Sequence, residues 1–580
     1  MKKYSFFFLL GIFSCTSSSI KNNLPATSSE EYSQVHLPAD KSRSQYESFG
    51  KNYMISSQGV HSTDAAVQVL NKGGNLFDAF AALSFAIGVE RPHSAGIGGG
   101  GFVLFYSAKD KKVYSLDFRE TASRQADRNM FLDKTGKAVA ERSRTGGLAI
   151  ATPGHVAGVL EIQKKYGHLP LSQVLAPAIQ LAGEGFDVYP ALNRAMTLSA
   201  ERLSQFPSSK KIFLNPEGQA WPVGQKLIQK DLAQTLRLIS KHGAHAFYAG
   251  PVAKKISATI SKHQGLVDEV DLANYKTKWR EPVESTYQDY QIFSQAPPSS
   301  GGVHVLEILN IIENDHLSQF GPQSPQSIHL TASAMQKSFV DRAIYLGDPD
   351  FVKVPVAYLI SKDYATQARS QINASKALKA KDFKIKEESP ETTHFSLMDK
   401  EGNVIVSTQT INGYFGSALV ADGTGIMLNN EMDDFAAEVG EQNLFGAVGG
   451  KNNLVAPLKR PLSSMSPTLV MKNGQTVLAL GTPSGTKIIT CVAQTLLNVL
   501  EYQLPLWQAV TLTRYHQQWQ PDELQVEASM FSESTLNELK KMGWTIKDQD
   551  LGCRIQIIQK EKNVLHGVSD PREEGASVGL

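Results

Sequence analysis

The chain is organised around the segment ETTHFSLMDKEGNVIVSTQTIN, residues 391–412. Its two arms are rich in β-branched and apolar residues, and Asp399–Asn403 between them is typical of a turn. A three-residue hairpin loop places glycine at its last, left-handed position, so Gly402 closes the loop. Asp399 then faces Asn403, and counting outward places Thr392 opposite Thr410. The two hydroxyls are therefore expected within hydrogen-bond distance.

A pair of threonines on neighbouring strands is usually an ordinary sheet contact. Here the preceding segment, residues 375–388, is rich in lysine and is expected to be exposed and poorly ordered. An exposed segment next to the beginning of a buried strand is typical of a site of chain cleavage.

Length and composition limit the class of protein. The chain has 580 residues, a net charge of +2 and 20% charged residues. This length predicts two core units or one large layered fold. The balanced charge gives no sign of a nucleic-acid-binding or membrane-surface protein.

The first residues resemble an export signal. A basic start precedes a short apolar run, Tyr4–Phe13, and Ser14-Cys15 follows. We predict that residues 1–15 are a signal peptide or lipoprotein signal and that residues 16–45 are a polar tether. Simple export and lipid attachment at Cys15 remain alternatives. The predicted location is exported, either periplasmic or as an outer-membrane lipoprotein of a bacterium.

The three cysteines are Cys15, Cys491 and Cys553. Cys491 lies in an apolar run, which predicts a buried small hydrophobic residue. The sequence does not indicate a disulfide framework.

Residues 62–90 show helical periodicity and lead to a glycine run, Gly96–Gly101. A dinucleotide-binding motif follows a strand and begins a helix, whereas this run follows a helix and begins a strand, so close backbone packing is predicted. Residues 160–380 are predicted to be mainly helical with proline-rich connections. Gly481–Thr486 joins a strand to a helix, where backbone N–H groups can bind an anion.

Several motifs in one order resemble the γ-glutamyltransferases (γ-glutamyltranspeptidases), which are N-terminal-nucleophile hydrolases. The resemblance runs from about Tyr53 to the C-terminus, and the most informative motifs are residues 94–102, 117–120, 298–302, 345–355, 392–396, 428–435, 460–468 and 569–572. It implies an α/β (α+β) fold, a four-layer αββα sandwich built jointly by two fragments.

The resemblance also implies residue roles. The precursor would cut itself between Glu391 and Thr392, giving a large fragment, 46–391, and a small catalytic fragment, 392–580. Thr392 would be the nucleophile and Thr410 its hydrogen-bonding partner. The substrate α-carboxylate would be held by Arg119, Ser463 and Ser464, and its α-amino group by Asn412, Glu431 and Asp434. The oxyanion hole would be formed by the backbone N–H groups of Ser484 and Gly485. Phe445 would be the aromatic gate of a lid.

The implied activity is γ-glutamyl transfer and glutathione hydrolysis through an acyl-Thr392 intermediate. Its partners would be glutathione and other γ-glutamyl compounds, with water, amino acids or peptides as acceptors, and neither a metal, a cofactor nor nucleic acid is expected. The α-amino group of a new N-terminal threonine, with a pKa of about 7.7–8.0, would serve as base. Membrane contact is expected only through a lipid on Cys15.

The family usually has two glycines where this chain has Ser484-Gly485, which puts the geometry of the oxyanion hole in question. Two alternatives to this activity stay open, and Ser484 bears on the second. One is an acylase of the cephalosporin or glutaryl type, and the other is an exported binding protein that has kept the fold without turnover.

Overall fold

The computed structural model describes residues 32–35, 37, 41–379, 392–440 and 442–580. The predicted signal, residues 1–15, lies outside the described residues, as do most of the tether and residues 380–391, which include most of the lysine-rich segment and Glu391. Where the tether is described it is attached to the body of the protein, since the Val35 N–H donates to the Thr511 carbonyl (2.9 Å). No helix in the described ranges has the length and apolar character needed to cross a membrane.

The strands form two seven-stranded antiparallel sheets and two small sheets. They are β1 Glu47–Gly50, β2 Tyr53–Ser57, β3 Gly100–Ser107, β4 Lys112–Asp117, β5 Phe186–Asp187, β6 Lys226–Leu227, β7 Lys278–Arg280, β8 Val283–Tyr287, β9 Tyr290–Ser294, β10 Thr393–Asp399, β11 Val404–Thr410, β12 Thr468–Lys472, β13 Gln475–Gly481, β14 Tyr515–His516, β15 Leu524–Val526, β16 Ile546–Asp548, β17 Gln556–Glu561, β18 Val564–Ser569 and β19 Ala576–Gly579. The first large sheet has the order β19-β2-β10-β11-β3-β4-β7, and the second has the order β1-β18-β17-β13-β12-β9-β8.

The α-helices are distributed along the whole described chain. They are α1 Arg43–Tyr46, α2 Val60–Asn71, α3 Leu76–Glu90, α4 Ala140–Arg144, α5 His155–Tyr166, α6 Leu171–Val174, α7 Ala176–Glu184, α8 Pro190–Ser204, α9 Pro207–Phe213, α10 Lys230–His242, α11 Ala244–Tyr248, α12 Pro251–Lys262, α13 Glu269–Asn274, α14 Gly301–Ile312, α15 Pro325–Tyr345, α16 Val356–Leu359, α17 Lys362–Ser370, α18 Lys487–Leu496, α19 Leu506–Thr511 and α20 Glu533–Lys541.

Three buried apolar clusters define four layers. One joins the outward side chains of the first sheet, such as Phe395 and Leu397, to α2, α3, α5 and α7. A second joins the second sheet to α14, α15 and α18. The third lies between the sheets and contains Met398, Val406 and Ile558. Because side chains alternate along a strand, β10 serves both the helix layer and the space between the sheets. The αββα prediction is confirmed.

The hairpin has the predicted register. His394 pairs with Thr408 and Ser396 with Val406, and Gly402 has a φ of 95°. The predicted close packing of the glycine run is also confirmed, because a Cβ on Gly99 would lie 2.0 Å from the Thr410 carbonyl oxygen. In the first sheet the hairpin β10-β11 lies between β2 and β3.

The region predicted to be mainly helical, residues 160–380, contains α6 to α17 and also the strands β5 to β9. Of these strands, β7 joins the edge of the first large sheet, and β8 and β9 join the edge of the second. One expectation needs correction. Cys491 is fully buried as predicted, but it forms a disulfide with Cys553, 62 residues later. No local pattern indicates this pairing, because it depends on how the segment before β17 packs against α18.

The disulfide generates the first prediction. Alkylation of the denatured, unreduced protein is expected to leave Cys491 and Cys553 unmodified, and reduction should expose both to the reagent. Replacing both by serine is expected to lower the free energy of unfolding by about 2–4 kcal/mol, since the closed loop is long. Peptide mass spectrometry and calorimetry measure the two effects. Alkylation of both thiols without reductant would contradict the pairing.

Candidate active site

Thr392 lies immediately before β10 and is 6% exposed. Its hydroxyl donates to the Thr410 hydroxyl at 3.3 Å, and the Thr410 oxygen also accepts the Asn412 N–H at 2.9 Å. Thr392 has a φ of 143°, in a region that β-branched residues rarely occupy. Such a conformation costs on the order of 1–3 kcal/mol and is typical of functional sites. The predicted threonine pair is therefore in place, with its backbone strained at the first residue.

Arg119 follows β4 and is 1% exposed. Its guanidinium forms short ion pairs with Glu431 and Asp434, and Glu120 lies 3.8 Å from Nη1. Burial raises the pKa of Glu120 to about 7 and raises the pKa values of Glu431 and Asp434. The resemblance had placed Arg119 and the two acids at opposite ends of a substrate. The structure brings them into direct contact, as one cation among three carboxyl groups.

Asn412 and the two serines lie around this cluster. Asn412 donates to the Asn430 carbonyl at 2.9 Å. Ser463 is held by backbone hydrogen bonds to the 298–300 segment, and its hydroxyl accepts the Met465 N–H at 3.1 Å. The Asn412 amide and the Ser463 hydroxyl are thus fixed by the backbone around them.

Arg342, at the end of α15, is a site residue that sequence reasoning missed. It is 6% exposed and donates to the hydroxyls of Ser300 (3.0 Å) and Ser464 (3.4 Å). No carboxylate of the described residues lies within ion-pair distance, and burial lowers its pKa to about 10. A buried guanidinium without a carboxylate partner favours an anionic ligand. A position in the last turn of a helix gave no signal for this role.

The turn after β13 presents two free backbone donors. Ser484 has a φ of 107° and Gly485 a φ of 51°. Neither N–H donates to a described residue, and both precede α18, whose dipole favours negative charge. The Ser484 hydroxyl donates to the Leu551 carbonyl at 2.6 Å. Leu551 lies two residues before Cys553, so the disulfide holds the segment to which Ser484 is bonded.

The loop after the acidic turn covers the site. Phe445 is 7% exposed, and a Cβ on Gly485 would lie 2.4 Å from its ring. Asn443, a second residue that sequence reasoning missed, donates to Asp434 at 2.9 Å and accepts the Phe445 N–H at 3.0 Å. The loop is therefore fastened to the acidic cluster, a contact that no local pattern reveals.

One cavity collects these groups. It is lined by Arg119, Arg342, Thr392, Thr410, Asn412, Glu431, Asp434, Asn443, Phe445, Leu462, Ser463, Ser464, Met465, Gly485, Thr486 and Ile488. We call it the donor pocket. Of the predicted site residues that the structure describes, only Ser484 is missing from this lining, and it is adjacent to Gly485.

Comparison with known proteins identifies the family. Residues 62–580 match the family described as gamma-glutamyltranspeptidase. The chain belongs to this family. The glutathione hydrolase proenzyme of Escherichia coli (strain K12) is 42% identical over 528 residues, covering 90% of each chain. That of Pseudomonas sp. (strain A14) is 41% identical over 544 residues, covering 91% of this chain and 94% of that protein.

A solved cephalosporin acylase from Bacillus halodurans has the same fold. Its TM-score is 0.83 at 26% identity, and the match covers 94% of this chain and 98% of that one. Both kinds of comparison identify the chain as an enzyme of the N-terminal-nucleophile hydrolase type, as the motifs predicted.

The Ser484 contact generates the second prediction. Ser484→Ala keeps the strained φ but loses the hydrogen bond to Leu551, so kcat is expected to fall about tenfold. Ser484→Gly loses the same bond but relieves the strain, so its kcat should stay within about threefold of wild type. Steady-state assays of the two variants measure the difference. An alanine variant as fast as wild type would show that the hydroxyl does not support the turn.

Proposed function

We propose that Thr392 is the nucleophile of this self-processing γ-glutamyltransferase and glutathione hydrolase. It would attack first the enzyme's own chain and then the substrate. The observation that carries the proposal is the Thr392–Thr410 hydroxyl pair, 3.3 Å apart at the wall of a pocket that holds both signs of charge. The proposed nucleophile, the proposed oxyanion hole and the charged groups proposed to bind a zwitterionic substrate all lie at this pocket.

Scission between Glu391 and Thr392 supplies the base. A threonine hydroxyl is weakly nucleophilic until its proton is removed. The freed α-amino group has a reference pKa of about 7.7–8.0, close to neutral pH, and it belongs to the same residue as the hydroxyl. The proposed fragments are 46–391 and 392–580. They stay associated because β10 and β11 of the small fragment lie between β2 and β3 of the large one.

The proposed turnover uses these groups in turn. The Thr392 oxygen attacks the γ-carbonyl carbon while Thr410 orients its hydroxyl. The N–H groups of Ser484 and Gly485 stabilise the oxyanion, and each such donor is typically worth on the order of 10²–10³ in rate. The amine then leaves with a proton, and water or a second amine takes the acyl group from Thr392.

The donor pocket suits an α-amino acid. We assign the substrate ammonium to Glu431 and Asp434, with Asn412 beside them. The α-carboxylate is assigned to Ser463, Ser464 and the cations Arg119 and Arg342. Because Arg119 is already paired with both acids, Arg342 supplies the positive charge that is not yet neutralised.

The acidic cluster separates this function from that of an acylase. A glutaryl or cephalosporin side chain without an α-amino group would leave Glu431 and Asp434 without a cationic ligand group. Arg119 is one cation among three buried carboxyl groups, and incompletely compensated buried negative charge is costly, so such donors are disfavoured. We therefore favour glutathione and other γ-glutamyl compounds as donors. The lid with Phe445 and export through residues 1–15, with lipid attachment at Cys15 and simple export as alternatives, belong to the same proposal.

An assay with three p-nitroanilides tests the proposed function. Wild type is expected to hydrolyse the γ-glutamyl anilide with a kcat/KM on the order of 10²-fold above that of the glutaryl anilide, which lacks the α-amino group. Preference for the glutaryl compound, or no turnover of either, would overturn the proposal.

The third anilide, the γ-aminobutyryl compound, lacks only the α-carboxylate. It therefore tests whether Arg342 acts on that carboxylate. Arg342→Gln is expected to raise KM for the γ-glutamyl anilide about tenfold, with Arg342→Lys in between, and to leave the γ-aminobutyryl anilide unaffected. Equal losses on both anilides would assign Arg342 a structural role only.

A further inference from the structure

The turn that presents the two backbone donors is held in a strained conformation. Ser484 has a φ of 107°, in a region that residues with a side chain rarely occupy. Such a conformation persists only when the surrounding structure fixes it. One contact comes from α18, because the Lys487 N–H donates to the Ser484 carbonyl at 2.9 Å. Two others come from a segment that is distant in sequence.

That segment is residues 551–555, which we call the brace. It lies between β16 and β17, and none of its residues, all of which the structure describes, belongs to a helix or strand. The Leu551 carbonyl accepts the Ser484 hydroxyl at 2.6 Å. The Arg554 N–H donates to the Thr482 hydroxyl at 2.7 Å. The brace therefore contacts the turn both before and after its proline.

The Cys491–Cys553 disulfide joins the brace to α18. An irregular segment lacks the backbone hydrogen-bond ladder of a strand, so individual contacts fix its position. Cys553 Sγ also lies 3.7 Å from the Lys487 carbonyl oxygen, in the first turn of α18. The disulfide thus links the two elements that hold the turn. Arg514 donates to the Cys553 carbonyl at 3.1 Å, which gives the brace a further, non-covalent anchor.

The brace extends to the reacting groups. Gly552 and Arg554 line one cavity together with Pro483 and Thr392. A displaced brace would therefore move the turn relative to the Thr392 hydroxyl. Oxyanion donors act over hydrogen-bond distances, and a misplacement of about 1 Å can cost on the order of 10²-fold in rate.

We propose that the brace and its disulfide position the oxyanion hole. Cys491, Cys553 and Thr482 are positioning residues that act through the turn. They hold the backbone N–H groups of Ser484 and Gly485 where the oxyanion forms. The inference rests on the proposed function, because it assigns a kinetic role to residues outside the donor pocket.

The side chain at position 484 decides how much the brace contributes. Serine at this φ depends on outside contacts, whereas glycine adopts a positive φ without strain. With Ser484→Gly the turn keeps its conformation with less support from the brace. Loss of the disulfide is then expected to cost less, so the two changes are not additive.

A double-mutant cycle tests the proposal. The pair Cys491→Ser and Cys553→Ser is expected to lower kcat for the γ-glutamyl anilide about tenfold. This is less than the loss of a whole oxyanion donor, because Arg514 still anchors the brace. In the Ser484→Gly background the same pair is expected to lower kcat no more than about threefold. Each kcat is measured below the melting temperature of the variant and referred to the amount of cut enzyme.

Inhibitor binding separates the oxyanion hole from the donor pocket. A glutamate analogue with a boronic acid in place of the γ-carboxyl group gives a tetrahedral adduct with the Thr392 oxygen, which resembles the transition state. The cysteine pair is expected to raise its Ki about tenfold. The Ki of norvaline, which has the α-amino acid head group but no γ-carboxyl group, should stay unchanged. A disulfide that only stabilised the fold would leave both constants unchanged in the folded enzyme.

Two single variants complete the test. Leu236→Ala is the matched control for lost stability, since Leu236 is a fully buried residue of α10 outside the brace and the donor pocket. It should lower the melting temperature and leave kcat at the wild-type value. Thr482→Val keeps the disulfide and removes the acceptor of the Arg554 N–H, so kcat is expected to fall about threefold. It decides the case if the cysteine pair does not fold.

The proposal is overturned if the cysteine pair keeps the wild-type kcat, or if it costs the same factor in the wild-type and Ser484→Gly backgrounds. A wild-type kcat for Thr482→Val would overturn it where the cysteine pair does not fold. Absence of all nitroaniline release by wild type would instead refute the proposed function.

Discussion

The hydrogen bond between the hydroxyls of Thr392 and Thr410 imposes the strictest constraint on this structure. It requires that two strands of a buried hairpin keep one register, because a slip of a single residue would turn every side chain to the opposite face. The register is set by the three-residue loop ending at Gly402 and is supported on both sides by β2 and β3. Gly99 allows the backbone before β3 to approach the Thr410 carbonyl. The sheet, the hairpin loop and the glycine run therefore all help to position the Thr392 and Thr410 hydroxyls.

Electrostatics sets the second constraint. Glu120, Glu431 and Asp434 are buried around Arg119, and their raised pKa values reflect the cost of holding three carboxyl groups out of water. A ligand ammonium would relieve that cost, and a ligand carboxylate would relieve the uncompensated charge of Arg342. A pocket with these two imbalances is complementary to a zwitterion, which is the basis of the proposed selectivity for an α-amino acid head group.

Local chemistry explains what could be predicted from the sequence. Turn residues and strand alternation were enough for the hairpin register, and motif order was enough for the family and for most of the pocket lining. Long-range packing explains the rest. The Cys491–Cys553 bond, strands β7 to β9, and the contacts of Arg342 and Asn443 all join segments that are distant in sequence or lack a local pattern. Ser484 looked like a lesion in isolation, but its hydroxyl is bonded to a segment held by the disulfide.

The central claim is that scission frees an amine beside the Thr392 hydroxyl. N-terminal sequencing of the purified active protein, together with a denaturing gel of wild type and Thr392→Ala, tests it most directly. The account predicts a small fragment whose first residue is Thr392, and an uncut, inactive Thr392→Ala chain. An active protein consisting of one uninterrupted polypeptide, or a small fragment beginning at another residue, would contradict it.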